Sequence, residues 1–75
     1  MNTVGPRVRQ IREQQKLTQE QFVARCNVQG WDISRATLAK IESRVRRVTD
    51  FEVLMLAKCL KVEVGELFCE VNQPY

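Results

Sequence analysis

The chain has 75 residues, 44% of them hydrophobic, and 12 Lys/Arg against 9 Asp/Glu give a formal net charge of +3. That length fits one compact domain over residues 1–75, with a core from 4 to 68 and a C-terminal tail from 69 to 75, and leaves no room for a sensor or catalytic domain beside it. There is no histidine, hence no Ser/His or Cys/His pair, and no glycine-rich phosphate loop, so an enzyme is not expected and neither cofactor nor metal is implied.

The charge is unevenly spread. Residues 1–47 hold ten Lys/Arg against four Asp/Glu, net +6, whereas residues 48–75 hold two against five, net −3. A polyanionic partner is therefore expected on the first part of the chain. No apolar run is long enough to cross a bilayer and the start lacks the apolar stretch of a signal peptide, so a cytoplasmic protein is expected. Cys26, Cys59 and Cys69 are spaced 33 and 10 apart, neither a disulfide framework nor a zinc pattern. The first two sit in apolar helical contexts and are read as small buried thiols, while Cys69 is the candidate for an exposed, reactive one.

In chain order, Gly5–Pro6 marks a helix start, because proline at the first helical position gives up no needed hydrogen bond. This helix is expected to turn Val8 and Ile11 inward and to end near Gln15. Thr18 with Gln21 forms a capping box, opening a short second helix that buries Phe22, Val23 and Cys26. Residues 27–33, NVQGWDI, make a long connection in which Asn27 or Gly30 supplies a positive φ. Ser34 is a good N-cap for a third helix over 34–43. On that helix Thr37, Leu38 and Ile41 share one face, and Arg35, Ala36, Ala39, Lys40 and Ser43 share the other. The outer face is cationic at its edges and small in its middle, a shape that lets a helix axis approach base edges in a major groove.

A second capping box, Thr49 with Glu52, opens a fourth helix running to about Leu60. Its apolar residues, including Phe51, Leu54 and Met55, cover nearly the whole circumference, which implies a central helix or one that also forms a subunit interface. A last short helix over about 64–68 closes the core with Leu67 and Phe68. The expectation is an all-α, compact five-helix bundle.

Four strings in order carry a resemblance: LTQEQFVA at 17–24, ISRATLAKIE at 33–42, the basic RVRRVTD at 44–50 and LAKCLKVEVGELF at 56–68. Together they resemble the phage repressor and Cro-type helix-turn-helix domains, the lambda-repressor-like DNA-binding fold, over about residues 4–68. The resemblance implies that helix 34–43 lies in the major groove, with Arg35, Ala36 and Lys40 nearest the base edges and Thr37 and Ser43 secondary. It implies phosphate contacts from Gln19, Ser34, Arg44, Arg46 and Arg47, and a structural ion pair between Arg12 and Glu42.

Two departures from the family pattern stand out. The turn before Ser34 is about four residues longer than usual and contains Trp31, which is expected to plug onto the core. Arg44 stands where glycine commonly ends the third helix, and the cost of a left-handed arginine predicts that the helix runs on for another turn. The function these residues imply is sequence-specific double-stranded DNA binding by a small transcriptional regulator, a repressor acting as a homodimer on a palindromic operator. The alternative is an antitoxin or protein-binding adaptor, whose partner is another protein such as a toxin.

Overall fold

The computed structural model describes residues 4–68. These form α1 (Gly5–Gln14), α2 (Gln19–Val28), α3 (Arg35–Glu42), α4 (Asp50–Leu60) and a 3-10 helix (Val64–Phe68), with no strand among the described residues. The expected fifth α-helix is therefore a 3-10 segment, while the all-α class stands. Cys69 and the tail 69–75 lie outside the described residues.

Each start has a local cause. Pro6 opens α1. Thr18 Oγ1 accepts from the Gln21 amide at 3.0 Å while the Thr18 amide donates to Gln21 Oε1 at 2.8 Å, and Thr49 and Glu52 repeat the arrangement at the start of α4. Both boxes satisfy amides that a helix start leaves without intrahelical partners. Ser34 Oγ caps α3 by accepting from the Thr37 amide at 3.1 Å.

The helix ends share one device. Lys16, Gly30, Arg44 and Lys61 follow α1, α2, α3 and α4 with φ of 60°, 92°, 69° and 60°. In each case the next amide reaches back five residues: Leu17 to Arg12, Trp31 to Cys26, Val45 to Lys40 and Val62 to Ala57. This is the Schellman closure with an apolar residue after the left-handed one. Only one of the four is glycine; the others are basic, placed where a helix dipole favours positive charge. The expected extension of α3 does not occur: Arg44 accepts the left-handed geometry, and the returning Val45 amide stops the helix at Glu42.

Val8, Ile11, Phe22, Cys26, Leu38, Ile41, Leu56, Cys59, Leu60 and Leu67 are buried in one core to which all five elements contribute. Leu17, Val23, Trp31, Val48, Val62 and Val64 pack partly buried around it. The carbonyls in the last turn of α4 are fully used. Ala57 and Lys58 accept from Val62 and Lys61, while Cys59 and Leu60 accept from Arg25 Nη1 at 3.2 Å and Gln15 Nε2 at 2.7 Å. Side chains of α2 and of the residue after α1 thus anchor α4 by satisfying its orphan acceptors. Arg7 ties α1 to the 3-10 helix through the Glu66 carbonyl and carboxylate, at 2.9 and 3.1 Å.

Two apolar expectations are corrected. Phe68 is 57% exposed while Leu67 is fully buried; with three residues per turn, neighbouring side chains point about 120° apart and only one faces the core. On α4, Phe51 and Leu54 are 61% and 57% exposed, so this helix is buried along one side and carries an apolar stripe on the other. The Cys26 and Cys59 thiols are fully buried, and burial pushes both up, away from the reactive thiolate.

Candidate nucleic-acid interface

The turn between α2 and α3 is built from its own sequence. Gly30 takes the positive φ, so Asn27 remains in α2, which runs two residues further than the expected start of the connection. Asn27 Nδ2 then donates to the Trp31 carbonyl at 2.9 Å and the Ile33 carbonyl at 3.3 Å, holding the extra residues against the end of α2. Ile33 and Leu38 flank the Ser34 cap and are both buried, the arrangement of a hydrophobic staple that fixes how the chain enters α3. Trp31 is partly buried and packs against the core, as expected. The tether from Asn27 was not foreseen from the sequence; its signal is an Asn in a last helical turn followed by a non-helical stretch.

On α3, Leu38, Ile41 and Glu42 are buried, Thr37 and Ala39 half-buried, and Arg35, Ala36, Lys40 and Ser43 exposed. The expected outer face is therefore presented to solvent, with Ala39 at its edge. Thr37 belongs largely to the cap, its hydroxyl accepting from Ser34 Oγ at 3.1 Å. Ser43 Oγ donates to the Lys40 carbonyl at 3.3 Å.

Beneath this face lies the Arg12–Glu42 pair. Arg12 Nε and Nη2 donate to the two Glu42 oxygens at 2.7 and 3.2 Å, and Nη1 donates to the Leu17 carbonyl. Both side chains are more than nine-tenths buried, where an unpaired charge is costly and a bidentate partner offsets the lost hydration. The pair continues outward. Gln19 Nε2 donates to Glu42 Oε1 at 3.1 Å, and Gln19 Oε1 accepts from Arg35 Nε at 3.3 Å. The Arg35 guanidinium is thereby linked through one amide to a buried anchor, and Gln19 spends both ends of its side chain inside the protein.

The basic loop after α3 divides in two. Arg44 and Arg47 are exposed. Arg46 is drawn onto Glu52, with Nη1 and Nη2 each 2.8 Å from a carboxylate oxygen. That contact holds the Glu52 carboxyl below the usual carboxylate range, with the Thr49 amide adding to it. A phosphate would have to share Arg46 with Glu52. The site thus gathers Gln19, Arg35, Arg12 and Glu42 into one network, and places Arg46 in a second one with the α4 cap.

A family model described as helix-turn-helix matches residues 8–67. The chain belongs to that family, in its Cro/C1-type form. It is a family of DNA-binding regulatory domains, not typically enzymatic. In helix-turn-helix terms, α2 and α3 with the turn between them are the motif. No curated protein and no solved structure gives a match. Among the described residues no helix is long and apolar enough to cross a membrane.

Proposed function

We propose that the chain is a sequence-specific double-stranded DNA-binding protein that acts as a small transcriptional repressor, with residues 34–43 in the major groove. The observation that carries this reading is the outer face of α3, small at Ala36, cationic at Arg35 and Lys40, with Arg35 held through Gln19 on the buried Arg12–Glu42 pair. A guanidinium fixed before binding loses less side-chain freedom on meeting guanine O6 and N7, which favours discrimination over simple attraction. Ser34, Arg44 and Arg47 are assigned to phosphates, with Gln19 and Arg46 contributing where their internal partners yield.

Exposed Phe51 and Leu54, one turn apart on α4, support a protein contact, which we assign to a second copy of the chain on a two-fold symmetric operator. In the alternative reading, as an antitoxin or adaptor, a different protein covers this stripe.

Selection of duplexes from a random pool, followed by a salt series, tests the proposal. An enriched palindrome is expected. Arg35→Ala should cut the preference for selected over scrambled duplex by about 1–3 kcal/mol. Arg47→Ala should weaken both alike and flatten the salt dependence by about one unit of slope. A wild-type protein with no preferred duplex and no steep salt dependence would leave the protein-partner reading in its place.

A further inference from the structure

The solvent side of α4 is ordered by charge as well as by polarity. Asp50 in its first turn and Lys58 in its last are charged and exposed, whereas Glu52, its remaining charged residue, is buried on Arg46. Between the two exposed charges stand Phe51 and Leu54, with half-buried Met55 beside Leu54. Asp50, Leu54 and Lys58 recur at intervals of four and so share one side of the helix. Neither Asp50 nor Lys58 forms an ion pair among the described residues. At the rise of an α-helix they lie about 12 Å apart along the axis, too far to meet within one copy. Resting on the assignment of this stripe to a second copy of the chain, we propose that the two α4 helices pair antiparallel about a two-fold axis at Leu54, with Asp50 of each copy meeting Lys58 of the other.

A two-fold axis can relate two helices in two ways. With the axis along them the helices run parallel, Asp50 faces Asp50 and Lys58 faces Lys58, and both ends repel. With the axis across them the helices run antiparallel, residues equally far before and after the centre come opposite, and each end gains an opposite charge. Leu54 then meets Leu54 at the centre, and Phe51 lies against the methylene stem of the opposite Lys58, with the ammonium near the ring. The helix dipoles are opposed in the same arrangement, the start of one beside the end of the other. The apolar residues supply the attraction and the charges choose direction and register. Two well-exposed apolar side chains per copy make a small patch, so the dimer is weak in free solution.

Sedimentation equilibrium from micromolar to millimolar protein, free and on the selected duplex, with a thermal melt of each variant, tests this. Wild type should dimerise. Asp50→Lys and Lys58→Asp should each weaken self-association at least about tenfold, because like charges then face each other at both ends. An equimolar mixture of the two variants should recover wild-type affinity, since each introduced charge meets its opposite in the other chain. A variant that had merely lost its fold would not be rescued by mixing. Should either reversal unfold, Asp50→Asn and Lys58→Gln take their place, each weakening self-association several-fold. If wild type dimerises while the single variants keep its affinity, as a parallel pair would allow, or if the folded reversals do not recover on mixing, the antiparallel register is overturned and the second-copy reading survives. If wild type is monomeric both free and on its duplex, that reading itself fails.

Discussion

Two bidentate arginine–glutamate pairs brace the chain around the end of α3, in different surroundings. Arg12–Glu42 lies below the helix with both side chains almost wholly enclosed, whereas Arg46–Glu52 closes the following loop with its arginine 37% exposed. In the first, each charge depends on the other because water cannot replace it. In the second, water remains available, so the pair serves chiefly to shape a loop and reinforce a cap. The first pair also reaches the surface through Gln19, and so joins stability to the posture of Arg35. The second ends on α4 and has no such link.

The largest test of this contrast is Glu42→Ala, which strands Arg12 and should cost about 3–5 kcal/mol in denaturant unfolding. A gentler version replaces the pair by Arg12→Met with Glu42→Leu. Apolar replacements of a buried pair are often neutral or better, so most of the lost stability should return, while Gln19 loses its anchor and discrimination between duplexes should still fall. Recovery of both properties together would mean that the buried pair does not hold Arg35.

Glu52→Gln is a smaller perturbation, since glutamine can still complete the capping box and only the charge is lost. It should cost about 0.5–1 kcal/mol at neutral pH and leave discrimination unchanged. Arg46 lowers the folded Glu52 carboxyl below its ordinary value of 4.5, so its contribution is present above that pH and disappears as pH falls through the lowered folded value. The gap between wild type and Glu52→Gln in thermal melts should therefore close on the acid side of 4.5. A gap independent of pH would show that the ion pair does not matter there.

The smallest effect concerns Arg44, which stands between the two pairs with φ of 69°. Arg44→Gly should raise stability by about 0.5–1 kcal/mol by relieving left-handed strain, part of it offset by the freer unfolded chain. The same change should weaken binding to every duplex if Arg44 meets a phosphate as proposed. A destabilised variant would show that the arginine side chain, not its backbone geometry, holds the end of α3.

Much of the fold was readable because its signals are local. Thr18 with Gln21 and Thr49 with Glu52 lie three residues apart, and such spacing states a helix start without reference to the rest of the chain. Arg12 and Glu42, thirty residues apart, were legible only through the resemblance. Three helix ends were not, since propensity expects glycine where Lys16, Arg44 and Lys61 stand; Leu17 and Val62 then fold back onto the core, whereas after Arg44 only the Val45 amide returns, to the Lys40 carbonyl, and its side chain stays exposed. Phe68 was misplaced because the periodicity of an α-helix was applied to a 3-10 segment. At the site, the outer face of α3 followed from its spacing. The hold of Gln19 on Glu42 and of Arg46 on Glu52 depends on packing between elements, which no local pattern records.

The solvent-facing residues of α3 have a consequence for how such a protein can change over generations. Ala36, Lys40 and Ser43 are exposed and contribute nothing to the buried core. At Ala36 and Lys40 most substitutions cost only the difference in helix propensity, up to about 0.7 kcal/mol for residues other than glycine and proline, and Ser43 lies just beyond the last residue of α3. If this face reads DNA as proposed, variation at these three positions changes the readout while the hydrophobic interior stays under separate constraint. On that reading, a lineage carrying this chain would retarget itself stepwise without passing through an unfolded ancestor.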